Sequence, residues 1–142
     1  FTKMLCETEN AKNIESWVKS RDRGFYQIEY SYRLSNHQRI GFFNPDYFIK
    51  CEHSGIDYII VVEVKSDKDD SEENKAKFKY ARNHFEELNK KLKEKDINQK
   101  YIFHFLSPKN YQAFFEYLKD GRLFKGEFKS ELEILLEDSG VE

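Results

Sequence analysis

No apolar run in this sequence approaches the roughly 18 to 20 residues that a membrane span requires, so the chain is not expected to be membrane-bound. Its first residues, Phe1-Thr2-Lys3-Met4, lack the charged-then-apolar layout of a secretory signal, and export is not expected either. Cysteine is scarce. Cys6 and Cys51 have no CxxC spacing and complete no zinc-ligand pattern with His37, His53, His84 and His104. Both thiols are therefore expected to be reduced, in a cytoplasmic protein. Only two prolines occur, with no Gly/Ser linker, internal repeat or low-complexity tract, so the 142 residues read as one domain able to bury a core without disulfides. A basic excess is missing too: the net charge is -2, where generic nucleic-acid binders carry surplus Lys and Arg. Any contact with nucleic acid must then be local.

The chain is rich in charge (35%) and in aromatic residues (16%), a composition of ordinary globular proteins rather than disordered ones. Ala11, Ile14, Trp17 and Val18 recur at helical spacing and predict a first helix from about Thr8 to Ser20, stopped near Gly24. Tyr26, Ile28, Tyr30 and Tyr32 share one side of a strand over Phe25 to Arg33 and are read as a packed face. Ser35-Asn36-His37 turns that strand into a second one, roughly Gly41 to Cys51. After the turn His53-Ser54-Gly55, the unbroken β-branched run from Tyr58 to Lys65 predicts a central strand covered on both faces. A polar stretch, Asp67 to Ser71, opens a long amphipathic helix with Phe78, Ala81, Phe85, Leu88 and Leu92 on its apolar stripe. Tyr101 to Leu106 is a fourth strand. Ser107-Pro108 starts a helix through about Lys119, ended near Gly121, and Leu132, Leu135 and Leu136 mark a last helix. The order α-β-β-β-α-β-α-α defines a mixed α/β class.

The informative constellation is Asn44-Pro45-Asp46 followed by Glu63-Val64-Lys65. Side chains alternate across a strand, so Glu63 and Lys65 share a face, and pairing with the preceding strand can bring Asp46 beside Glu63. Two carboxylates held close repel unless a cation lies between them, and hard oxygen ligands suit Mg²⁺ or Mn²⁺. Such an ion activates a phosphodiester for hydrolysis, and Lys65 beside it can orient water or stabilise developing charge. Lys77 on the long helix is a candidate phosphate contact, as is a patch of Lys75, Lys79 and Arg82; a lysine-rich helix face is also simply solvated. His84 and His104, in apolar surroundings, are read as hydrogen-bonded core residues.

Through these residues, and through the α-β-β-β-α-β order that spans most of the chain, the sequence resembles the PD-(D/E)xK nuclease superfamily. The resemblance implies a restriction-endonuclease-like core, a catalytic set of Asp46, Glu63 and Lys65, and a metal held by Asp46, Glu63 and the Val64 carbonyl. It implies further that Glu15, on the first helix, is an additional acid. More narrowly, Phe43 to Phe48, Val62 to Lys65, Asn74, Lys77, His84-Phe85 and Phe103 to Pro108 look like the C-terminal endonuclease domain of type III restriction enzyme Res subunits. By that likeness the chain is a Mg²⁺-dependent DNA endonuclease, a phosphodiester hydrolase of a restriction-modification system. It would follow an ATP-driven helicase motor and work with a methyltransferase subunit. A start at Phe1 and a polar Glu-Asp-Ser-Gly-Val-Glu end fit a piece of such a longer helicase-nuclease. Two other functions remain open at this point: a non-catalytic DNA- or protein-binding module that keeps the fold, and a repair or RNA-directed nuclease with the same site.

Overall fold

Two short helices, α1 (Thr2–Cys6) and α2 (Thr8–Ala11), lead into β1 (Ser16–Lys19) in the structure, a computed structural model that describes residues 1–138. The end of the polar tail, residues 139–142, lies outside the described residues. A hairpin follows, β2 (Ile28–Leu34) and β3 (His37–Phe43), then β4 (Tyr47–His53) and β5 (Ile56–Val64). Next come the long helix α3 (Glu72–Glu94), β6 (Gln99–Leu106), α4 (Tyr111–Lys119) and α5 (Glu131–Asp138).

The main sheet has the order β1-β4-β5-β6 and is mixed: β1 and β5 run antiparallel to β4, while β6 is parallel to β5. That parallel pair needs a crossover, and α3 supplies it. Ser71 caps α3 by accepting the Asn74 N–H at 3.2 Å, with Glu72 and Glu73 in the first turn where the helix dipole favours acids. One sheet face packs Tyr47, Ile49, Ile60 and Val62 against α1 and α4, through Leu5, Phe114, Phe115 and Leu118. The other packs Val61 and Phe105 against α3, α5 and the hairpin, through Phe78, Ala81, Phe85, Leu132, Leu136, Ile28, Tyr30 and Phe43. β5 is thus covered on both faces, as its unbroken apolar run requires. The molecule is a mixed α/β domain with a mixed sheet flanked by helices. Among the described residues no helix is long and apolar enough to cross a membrane.

Two expected elements differ. In place of one helix from Thr8 to Ser20, α2 ends at Ala11 and the chain becomes strand β1, pairing Ser16 to Lys19 with Lys50 to Tyr47. Trp17 and Val18 are strand-favouring residues beside the open edge of β4, and backbone pairing there outweighs a helical continuation. Trp17 turns onto the core while Val18 stays 43% exposed.

The strand expected from Gly41 to Cys51 is two strands, broken at Asn44-Pro45-Asp46. Pro45 has no N–H to give a ladder. At this break the chain leaves the hairpin, a separate two-stranded sheet, and enters the main sheet. Ser35 and Asn36, both at positive φ, form the two-residue hairpin turn, a conformation that suits the right-handed twist of its strands.

Candidate active site

The break at Pro45 is what creates the site. β4 and β5 pair from His53↔Ile56 up to Tyr47↔Val62, and beyond that point side chains take over from backbone. The Asp46 N–H donates to Glu63 Oε1 at 3.1 Å, and the Val64 N–H donates to Asp46 Oδ2 at 2.9 Å. Lys65 Nζ stands 3.1 Å from Glu63 Oε2. Asp46, Glu63 and Lys65 therefore meet at one end of the sheet, on the face shared with α3. The alternation of the central strand and the adjacency of its hairpin partner account for the meeting.

The segment just after β1 holds the aspartate in place. Ser20 lies directly across from Asp46, donating its N–H to the Asp46 carbonyl at 2.8 Å and its hydroxyl to the Pro45 carbonyl at 2.5 Å. The Asn44 amide reaches the Arg21 carbonyl at 2.5 Å. On the other edge, the Lys65 N–H donates to the Leu106 carbonyl at 2.9 Å and ties the end of β5 to β6. Ser20 was not among the expected site residues, because its partner lies 26 positions away and no local pattern marks it.

Glu63 is 5% exposed. Burial, then the neighbouring negative charge of Asp46, pushes its carboxyl up to about 8, against the pull of the Lys65 ammonium. The same charge is felt by Tyr111, at the start of α4, whose phenol is raised by burial and then by Tyr47, Asp46 and Asp67. A cation between these two acids would favour the ionised form of Glu63 and offset its repulsion with Asp46.

The donor set suits such a cation. Asp46 Oδ2 accepts the Val64 N–H, Glu63 Oε1 accepts the Asp46 N–H and Glu63 Oε2 faces Lys65, and although the two carboxyls also hydrogen-bond each other their oxygens keep lone pairs for a cation. The N–H and C=O of one strand residue lie on the same edge, so the Val64 carbonyl faces the side to which its N–H points, toward Asp46. Two carboxylates and a main-chain carbonyl are hard oxygen ligands, the set that Mg²⁺ and Mn²⁺ take. No group of three or more His, Cys, Asp or Glu side chains suited to a metal occurs among the described residues, so any ion here relies on that carbonyl.

The other expected positions are placed elsewhere. Glu15 lies just before β1, beside Lys50, with its N–H on the Lys50 carbonyl at 2.9 Å and its carboxylate 3.3 Å from Lys50 Nζ. Since β1 and β4 are antiparallel, Glu15 is at the opposite end of β4 from Asp46, about 13 Å along the strand at 3.3 Å per residue. The expected helix would have carried it differently; strand β1 removes it from the site. Lys77 is turned inward, 3.4 Å from Glu73 and over the rings of Tyr30 and Phe43, with a side chain 16% exposed. Lys75 pairs with Glu72 at 3.3 Å and Arg82 with Glu137 at 2.7 Å, so of the expected patch only Lys79 carries no ion pair among the described residues.

Both histidines read as core residues are hydrogen-bonded. His84 Nε2 lies 2.6 Å from the Tyr26 hydroxyl, and burial holds its imidazole below the usual range. His104 Nδ1 lies 2.8 Å from Glu133, a buried acid whose part in this pairing no spacing announced.

Comparison of the chain with protein-family models, with curated proteins and with solved structures finds no match. What fold and site define together is a mixed α/β domain bearing two carboxylates and a lysine at one end of its central sheet.

Proposed function

We propose that this chain is a metal-dependent DNA endonuclease domain of the PD-(D/E)xK type, the cleavage module of a type III or related restriction enzyme. The observation that carries the reading is the convergence of Asp46, Glu63 and Lys65 within hydrogen-bonding distance of one another's strands at the Pro45 break. A scaffold that only binds has no need for two acids and a lysine brought together at a strand end.

In this reading Asp46, Glu63 and the Val64 carbonyl would hold Mg²⁺ or Mn²⁺. When bound there, such an ion would supply polarisation of the phosphodiester and a water made nucleophilic near neutral pH. Lys65 stands beside Glu63 on the same face, placed to orient the attacking water and to stabilise negative charge that grows on the phosphoryl oxygens. Ser20 and Asn44 position the Asp46 backbone, and their hydrogen bonds keep the aspartate from drifting as charge at the site changes. An upstream helicase motor that uses ATP and a methyltransferase subunit complete the proposed enzyme, which works on DNA in the cytoplasm.

The experiment is incubation of plasmid DNA with the chain and Mg²⁺, Mn²⁺ or EDTA, beside Asp46→Ala and Lys65→Ala. Nicking with either ion, abolished by EDTA and by both substitutions, is the expected result. Cleavage that survives Asp46→Ala would place the chemistry elsewhere.

A further inference from the structure

Of the four expected phosphate contacts on α3 three are occupied, since Lys75 and Arg82 face acids and Lys77 is folded over aromatic rings. A different set of cations lies next to the site. β1 runs antiparallel to β4, so its last residue, Lys19, and the loop after it emerge at the sheet end that carries Asp46. Ser20 is hydrogen-bonded to Pro45 and Asp46, and Arg21 to Asn44. Between residues 19 and 23 the chain carries Lys19, Arg21 and Arg23 against the single acid Asp22.

All three cations are exposed, and none makes an ion pair with a described acid. Lys19 lies over the Tyr47 ring, 6.0 Å from its centroid. The far side of the loop is fastened as well: Phe25 packs on Phe48 with centroids 5.5 Å apart, and Tyr26 bonds His84. A basic loop anchored at both ends, one of them at the aspartate itself, loses little freedom when it meets a charged partner.

The geometry points to Lys19, Arg21 and Arg23 as the clamp that holds the DNA backbone against the Asp46–Glu63–Lys65 site. This rests on the nuclease reading and adds to it where the substrate lies. Phosphate contacts position a duplex without reading its bases, and each contact releases counterions, which gives binding its salt dependence. The overall charge of -2 then matters less than a local excess of two positive charges at the sheet end that carries Asp46.

The test is fluorescence anisotropy of a short labelled DNA duplex with Ca²⁺, a condition chosen to favour binding over cleavage. It compares the chain with Lys19→Ala/Arg21→Ala/Arg23→Ala and with a control of equal charge change, Lys91→Ala/Lys93→Ala/Lys95→Ala. The control removes exposed lysines around the C-terminus of α3, at the opposite end of the sheet. A second loop variant, Arg21→Glu/Arg23→Glu, leaves β1 untouched, and melting curves verify that all variants are folded. The loop variants are expected to bind at least tenfold more weakly, with the logarithmic salt slope of the triple variant reduced by about 3, one unit per lost phosphate contact. The control should bind like the parent. Equal losses in loop and control variants, or no loss in the loop variants, overturn the clamp. Mn²⁺-dependent nicking by the parent that Asp46→Asn lacks would then still support the nuclease reading. A parent that neither binds nor cleaves DNA overturns both.

Discussion

At the scale of single residues, Glu63 is the position where structure and chemistry meet most directly. Its folded pKa, about 8, stands well above the ordinary carboxylate value of 4.5, so the folded chain holds a proton that the unfolded chain releases. The stability that this proton confers is complete below about pH 4.5, declines as pH rises, and is gone above about pH 8. Without metal, Glu63→Gln should therefore gain on the parent by a few kcal/mol between pH 5 and 9, read from urea midpoints, at about 1.4 kcal/mol per pKa unit. A flat difference would mean that Glu63 is not held neutral. A divalent cation held in the proposed site would reverse the preference, because it would bind the ionised carboxylate. Calorimetry at pH 6.5 in buffers of different ionisation enthalpy should show close to one proton released per Mn²⁺ bound, and Glu63→Gln should bind little. Equal binding by both proteins would move the metal elsewhere. This trio was legible in the sequence because strand alternation and a tight hairpin put Asp46, Glu63 and Lys65 together by geometry alone. Glu15 was misplaced because its position depended on a helix that does not form.

At the scale of elements, what could be read was what has a long period or a strong local signal. The 23-residue α3, the buried strand β5 and its parallel neighbour β6 each carry enough side chains on one pattern to declare themselves. β1 has four residues and a partner some thirty positions later, so nothing local distinguishes it from the end of a helix. The docking of α5 shows the same division. Ser130 and Glu133 form a capping box readable as Ser-x-x-Glu, each side chain accepting the other's N–H at 3.1 and 3.0 Å. The tertiary use of Glu133 is not readable: it also accepts the Phe105 N–H at 2.9 Å and faces His104 Nδ1 at 2.8 Å, while the Ser130 hydroxyl donates to the Phe105 carbonyl at 2.6 Å. One buried carboxylate thus fastens α5 to β6. Glu133→Ala strands three polar groups in the interior and should cost about 3 to 5 kcal/mol in denaturant unfolding. A loss under about 1 kcal/mol would show that water or relaxation replaces the network.

At the scale of the whole molecule, charge and topology divide the labour of the proposed enzyme. A net charge of -2 leaves little long-range attraction for DNA, and on α3 Lys75 and Lys77 are paired with acids of the same helix and Arg82 with Glu137. The short loop after β1 can contact phosphates but presents no helix or ribbon to base edges in a major groove. Cutting by this chain alone should therefore be slow, salt-sensitive and indifferent to sequence. Specificity in the proposed enzyme comes from the partners, which read the site and raise the effective concentration of this domain at the DNA. The comparison that decides it sets the chain beside the proposed helicase-nuclease with its proposed methyltransferase partner, on plasmids with and without a recognition sequence. The chain alone should nick both plasmids at the same low rate, and raising the salt from about 50 to 200 mM should weaken binding several-fold or more, as a few phosphate contacts require. The complex should discriminate between the plasmids and cut faster. Tight, site-specific cleavage by the chain alone would overturn this division and make the domain a self-sufficient restriction enzyme, with base-reading residues on a surface other than the loop.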